Sequence, residues 1–185
     1  MTFKTKNKYR TIYADPPWAE SGGGKIKRGA DRHYPLMKTK DIMALPIGDL
    51  ADDNAHLYLW VTNNFLKDGL KVMEAWGFRY VTKITWVKGE TKEDGSFTLQ
   101  NPGLGQYFRG VDEVCLFGVK GTLPYKTLDN GKRAQGCTVI VEPRRKHSQK
   151  PNKMREVIEK VSHPPYIELF AREHVDGWDC WGNEV

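Results

Sequence analysis

Cysteine is scarce in this chain, and long apolar runs are missing. The three cysteines, Cys115, Cys137 and Cys180, are odd in number and lie far apart in a sequence of 185 residues. They show no close metal-ligand spacing, so no metal site is expected. A disulfide scaffold or zinc ribbon is argued against, and a reducing, intracellular compartment is indicated. No apolar stretch approaches the ~18–20 residues that a bilayer-crossing helix requires. Met1-Thr2-Phe3-Lys4-Thr5-Lys6 carries charge with no apolar segment behind it, and no signal peptide is expected. Internal repeats, low-complexity tracts and linkers between two cores are also lacking. The length suits a single domain, residues 1–185.

What is present is a core and a basic excess. The 39% hydrophobic content can build a buried interior, and six tryptophans within the 11% aromatic content exclude a disordered chain. The net charge of +6 suits a polyanionic partner, with a solvated lysine-rich surface as the bland alternative.

Strands and helices alternate along the sequence. Tyr9 to Ala14 is rich in β-formers and stops at a double proline, which reads as a strand entering a rigid loop. Lys38 to Leu45 reads as a short helix, and His56 to Val61 as a strand buried on both faces. Phe65 to Trp76 is the clearest helix. Its Phe65, Leu66, Leu70, Val72, Met73 and Trp76 follow helical spacing, and Gly77 terminates it. Tyr80 to Val87, Glu113 to Val119 and Thr138 to Val141 read as strands. Pro151 opens a helix with Met154, Val157, Ile158 and Val161 on one face, and Tyr166 to Phe170 closes the series as a buried strand. This order predicts an α/β sandwich on a mostly parallel sheet. Ligands in such sheets bind beyond the carboxyl ends of the strands, so the segments after Ala14, Val141 and Phe170 are where a site is expected.

Asp15-Pro16-Pro17-Trp18 follows the first strand directly. Two prolines cannot continue a sheet ladder, and they fix the directions of their carbonyls. A carboxylate before them and an indole after them suit a planar, polar ring. Asp15 and a proline carbonyl accept from an exocyclic amine, and Trp18 stacks on the ring. A capped turn with a core tryptophan is the other reading.

Further blocks extend this motif. They are Leu59-Trp60-Val61-Thr62, Ile84-Thr85-Trp86-Val87-Lys88, Phe117-Gly118-Val119-Lys120-Gly121, Ser148-Gln149-Lys150-Pro151, Ile167-Glu168-Leu169-Phe170-Ala171-Arg172 and Trp178-Asp179-Cys180-Trp181-Gly182-Asn183-Glu184. In content and order, from Tyr9 to Val185, the set resembles a family of adenine-N6 methyltransferases. That family is named for the catalytic subunit of the eukaryotic mRNA N6-adenosine methyltransferase and has small prokaryotic and phage members.

The resemblance implies a Rossmann-like sandwich that uses S-adenosylmethionine (SAM), in a permuted order with the catalytic motif first and the cofactor strand last. It implies Asp15, Pro16, Pro17 and Trp18 as catalytic residues, and Asp15, Lys150, Glu168, Phe170, Arg172, His174, Asn183 and Glu184 as cofactor contacts. The residues carry independent hints. Lys150 precedes a helix start, where an anion is favoured, although it also belongs to a basic run. Glu168 inside an apolar strand needs either an ion-pair partner or a sheet opening. Asn183 and Glu184 suit ribose hydroxyls.

Gly103 to Gly110 has the look of a dinucleotide fingerprint, but a strand follows it instead of a helix, which argues against a nicotinamide site. Tyr107 and Arg109 in that loop suit stacking and phosphate contact, with a flexible loop as the alternative. Basic residues cluster at Lys4 to Arg10, Lys25 to Arg32 and Arg144 to Lys153. Lys25, Lys27, Arg28, Arg144, Arg145 and Lys146 are therefore expected on the substrate side, with Trp18, and the resemblance adds Tyr34 from the following His33-Tyr34-Pro35-Leu36-Met37.

The implied reaction is methyl transfer to the N6 amine of adenine in nucleic acid, DNA before RNA, in the cytoplasm of a bacterial or phage-infected cell. No membrane partner is expected, and a homodimer or a heterodimer with a related subunit stays open. A nucleic-acid-binding module, a non-catalytic partner subunit and an amine methyltransferase acting on a small molecule or protein are the rival readings.

Overall fold

The structure is a computed structural model, and it describes residues 5–19, 36–103, 107–145, 149–182 and 185. The first strand, β1 (Tyr9–Ala14), ends where Asp15-Pro16-Pro17 begins. Helices α1 (Thr39–Met43) and α2 (Ile47–Leu50) lead into β2 (Ala51–Val61). A 3-10 turn (Asn63–Phe65) opens α3 (Leu66–Ala75). Then come β3 (Arg79–Thr91), β4 (Phe97–Leu99), β5 (Asp112–Lys120) and β6 (Val139–Glu142). Helix α4 (Asn152–Val161), β7 (Tyr166–Leu169) and β8 (Trp178–Trp181) complete the chain. Among the described residues no helix is long and apolar enough to cross a membrane.

Among the described residues one eight-stranded sheet runs β4-β3-β5-β2-β1-β7-β8, with β6 beside β3. Strand β1 is parallel to β2 and β7, β7 to β8, and β3 to β6. Strand β5 is antiparallel to both β2 and β3, and β4 is antiparallel to β3. The expected mostly parallel sheet is thus a mixed one. A parallel return needs a crossover of a dozen or more residues, usually helical. Among the described residues no helix separates β3 from β5, so β5 comes straight back. The reversal has a functional consequence. The start of β5 now shares a sheet edge with the carboxyl ends of β1, β2, β3, β6, β7 and β8.

Helices cover both faces, as in an α/β sandwich. On one face Ile12, Ala14, Leu57, Leu59, Leu116 and Leu169 pack with Ile42, Ile47, Val72, Met73 and Trp76 of the α1–α3 side. On the other, Tyr13, Tyr58, Trp60, Trp86, Cys115 and Ile140 pack with Met154 and Ile158 of α4. Successive residues of β1 and β2 therefore bury on opposite faces, which is why their sequences are almost continuously apolar.

Helix α3 buries only part of the face that its apolar spacing suggests. Its buried residues are Gly69, Val72 and Met73, while Leu66 and Leu70 are exposed. A Cβ on Gly69 would lie 2.4 Å from Cγ1 of Val61 and 3.1 Å from Cδ1 of Leu116, so glycine permits this close approach. Strand β8 was not expected as a strand. Trp178 secures it by stacking on Tyr166 at 4.8 Å and donating its indole N–H to Glu159 at 2.7 Å.

Candidate active site

The loop after β1 is locked from three sides. The Trp18 N–H donates to the Pro16 carbonyl at 2.9 Å, and the Met37 N–H donates to the Pro17 carbonyl at 2.7 Å. The Trp18 indole donates to the Trp60 carbonyl at 3.0 Å and stacks on Phe65 at 5.4 Å. Trp18 is only 4% exposed. The expected stacking of Trp18 on a substrate ring is corrected by this geometry. One face is covered by Phe65, the N–H is committed, and the side chain is core that anchors the loop.

Asp15 heads a row of alternating charges. Its Oδ2 is 2.6 Å from Nζ of Lys150, Lys150 is 3.4 Å from Glu113, and Glu113 is 2.7 Å from Lys88. The two ammonium groups also lie over indole rings, Lys150 at 5.5 Å from Trp60 and Lys88 at 5.2 Å from Trp86. Burial pushes the Asp15 carboxyl above its ordinary pKa. Lys150 pulls it back only in part, and Glu113 adds to the upward push. At Glu113 burial also favours the neutral acid, but Lys150 and Lys88 together outweigh it and hold that carboxyl below its ordinary value.

A second charge cluster faces the first. Arg155 on α4 grips Glu168 of β7 with two donors, Nε to Oε2 at 3.0 Å and Nη2 to Oε1 at 3.2 Å. Its remaining Nη1 donates to Glu173 at 3.1 Å. Of the two alternatives open for Glu168, the ion pair is therefore present. Burial is the main cause of its raised pKa, and Arg155 opposes it. Arg145 donates to Asn152 at 2.6 Å and lies 3.9 Å from Glu173.

Between the two clusters runs a narrow cleft of about 30 Å³, lined by Asp15, Lys150, Glu168, Phe170 and Arg172 together with Arg145, Gln149, Arg155 and Glu173. Five expected cofactor residues thus share one cavity. Phe170 takes a left-handed backbone, φ 63°, and its ring meets Trp181 edge-on at 5.4 Å. That conformation is costly for a bulky side chain and points to a site that over-determines it. His174 is separated from this group. It lines the adjoining groove with Tyr9, Asp179, Cys180 and Trp181, its Nδ1 2.9 Å from Sγ of Cys180.

Asn183 and Glu184 lie outside the described residues, as do Lys25, Lys27, Arg28, Tyr34 and Lys146. Tyr107, Arg109 and Arg144 are exposed, and Arg145 lines the cleft beside Lys150 and Glu173. The three cysteines are free. Among the described residues no group of three or more His, Cys, Asp or Glu is placed to hold a metal ion.

Sequence reasoning missed Lys88, Glu113, Arg155 and Glu173. Glu113 opens an apolar strand, a signal of the same kind as Glu168, but its place depends on the direction of β5. Arg155 directly follows buried Met154 on α4, so it borders the packed face.

A layered α/β sheet that gathers an acidic proline-locked loop, a lysine at a helix start and a glutamate on the strand next to the sheet edge into one cleft fits the SAM-dependent methyltransferase fold of the family matched here. The family model that matches this chain, MT-A70, covers residues 9–184, and the chain belongs to that family. It is similar to the type II methyltransferase M.MunI of Mycoplasma sp, with 29% identity over 97% of this chain and 79% of that protein. It is similar to the N(6)-adenosine-methyltransferase catalytic subunit METTL3 of Homo sapiens, with 30% identity over 96% of this chain and 28% of that protein. The MT-A70-like protein of Drosophila melanogaster gives 30% over 96% of this chain and 27% of that protein. The chain therefore spans most of M.MunI and little more than a quarter of these eukaryotic relatives.

Proposed function

We propose that the chain transfers the methyl group of SAM to the N6 amine of adenine in nucleic acid, DNA in preference to RNA. The observation that carries this reading is the Asp15–Lys150 pair, 2.6 Å apart in the cleft directly after β1. Its two opposite charges match an amino-acid zwitterion. Lys150 suits the carboxylate of the cofactor and Asp15 its ammonium, so the incoming group can replace an ion pair that already exists. Phe170, Glu168 and Arg172 line the continuation of the cleft, the side on which the adenosine end would lie. Bound SAM supplies an electrophilic methyl and a ready leaving group.

The residues of the chain then align and polarise. An adenine N6 amine is a weak nucleophile because its lone pair is delocalised into the ring. N–H donation to Asp15, and to the second lone pair of the Pro16 carbonyl, draws it toward tetrahedral geometry and offsets the positive charge that develops. Burial strengthens Asp15 as an acceptor by raising its pKa. Trp18, fixed in the core, holds the Pro16-Pro17 turn in register. Arg144 and Arg109 on the rim meet phosphates. DNA is put before RNA on the resemblance to small prokaryotic members of the family, and the same resemblance favours a cytoplasmic reaction.

The test is to incubate the chain with methyl-labelled SAM and unmethylated DNA or RNA, digest to nucleosides and analyse by mass spectrometry. Label in N6-methyladenine supports the reading. Label in no nucleoside, with SAM binding shown by calorimetry, contradicts it.

A further inference from the structure

We infer that Phe108 is a wedge that enters the base stack of duplex nucleic acid and fills the gap left by an adenine turned out into the cleft. The inference rests on the proposed methyl transfer to adenine. Phe108 is 91% exposed and its neighbour Tyr107 85%, the two most exposed large apolar side chains among the described residues. Single apolar residues on a surface are ordinary, but two adjacent aromatics bared to this extent mark a contact surface.

Their mounting ties them to the reaction centre. The segment that carries them leaves and re-enters the fold on one residue, Lys88. The Gln100 N–H donates to the Lys88 carbonyl at 2.9 Å, and the Lys88 N–H donates to the Val111 carbonyl at 2.7 Å. A further bond, Gly103 N–H to the Gly110 carbonyl at 2.9 Å, closes the neck of the loop. The Lys88 ammonium contacts Glu113, which reaches Lys150 and through it Asp15. The loop that carries the aromatics is therefore anchored on the backbone of a residue whose side chain belongs to the row of charges ending at Asp15.

The charge around the tip selects the partner. Arg109 is exposed beside Phe108, and exposed Arg144 is tied to the same segment by its N–H bond to Oε1 of Gln100 at 2.9 Å. A cation next to a bare aromatic, with a second exposed cation on the segment bonded to the base of the same loop, fits a polyanion that offers both phosphates and base faces. The chemistry also demands such a device. The N6 amine of a paired adenine is engaged inside the duplex, whereas Asp15 lies on the floor of a cleft, so the base must leave the stack.

The test uses the full chain and PCR-amplified, unmethylated plasmid DNA, native or heat-denatured, with N6-methyladenine read by mass spectrometry. The unaltered chain is expected to methylate both forms. Phe108→Ala is expected to lose about tenfold or more on native duplex while staying within about twofold on denatured strands. Phe108→Trp is expected to keep duplex activity. In a duplex oligomer around a mapped site, an abasic residue opposite the target is expected to restore turnover by Phe108→Ala. An unchanged duplex-to-single-strand ratio in Phe108→Ala overturns the wedge. So does an unaltered chain active on denatured DNA alone, and both of these results leave methyl transfer standing. A dimer of the unaltered chain that Phe108→Ala dissolves in sedimentation assigns the surface to a protein contact instead and overturns the wedge. No methylation of either form by the unaltered chain overturns the parent reading, and the wedge with it.

Discussion

On the floor of the cleft, Asp15, Lys150, Glu113 and Lys88 are 14–28% exposed, and each has an opposite charge within 3.4 Å. On the rim, Tyr107, Phe108, Arg109 and Arg144 are all exposed. Desolvating an ion is expensive, so charges on a sheltered floor persist only in pairs, and removing one partner costs more than the pair contributes. A rim group keeps its water and can be changed at little cost to the fold. The floor therefore suits a small zwitterionic cofactor that exchanges with existing pairs. The rim suits a polymer that brings its own charge. Mutations in the two regions should differ in kind as well as in size.

The largest expected effect is at Asp15. Asp15→Asn preserves shape but removes the acceptor charge, and methyl transfer is expected to fall by about 10²–10³-fold, with a lowered melting temperature because Lys150 loses its nearer partner and keeps Glu113. Initial rates and thermal denaturation measured together check this. A rate near that of the unaltered chain would break the assignment of the floor to chemistry.

Lys150→Met is next. Loss of a charge-assisted hydrogen bond to the cofactor carboxylate is expected to weaken SAM binding by about 10–100-fold in calorimetry. The pH profile adds a signed test. Asp15 must be ionised to accept, so the rate falls as pH drops through its pKa. That pKa is already raised by burial, and Lys150 opposes the rise. Removing Lys150 is therefore expected to move the acid limb of kcat/KM to higher pH. A limb that stays put separates Asp15 from the titration.

Arg155→Met is expected to leave Glu168, 13% exposed, without its guanidinium, and to destabilise the chain by about 1–3 kcal/mol in urea unfolding. Adding Glu168→Gln is expected to recover part of that loss, because the cost lies in the orphaned carboxylate. Simple addition of the two effects would show that the pair is not coupled.

The smallest change belongs to the rim. Arg144→Ala is expected to reduce the salt dependence of nucleic-acid binding by about one counterion, with SAM affinity and stability unaltered. An effect on SAM affinity would erase the distinction between floor and rim.

Much of this was legible in the residues. The β-rich run halted by Pro16-Pro17 marked β1 and its loop, and Lys150 before Pro151 marked the start of α4. The continuous apolar run at β2 correctly announced burial on both faces. What escaped depended on direction or tertiary partners. Nothing in Asp112 to Lys120 says that the strand runs antiparallel, so the position of Glu113 beside Lys150 could not be read. Trp178-Asp179-Cys180-Trp181 lacks the alternation of a strand and becomes one only by pairing with β7. Trp18 looked like a stacking surface because its cover, Phe65, comes from a distant turn. Arg155 sits in a helix rich in lysine and glutamate, and its partner Glu168 belongs to another strand.

The most direct test of the central claim is a calorimetric cycle with two ligands, SAM and decarboxylated SAM, and two proteins, the unaltered chain and Lys150→Met. If Lys150 holds the carboxylate, the unaltered chain prefers SAM over the decarboxylated form by about tenfold or more, and Lys150→Met binds the two alike. An equal preference for SAM in both proteins would contradict the account.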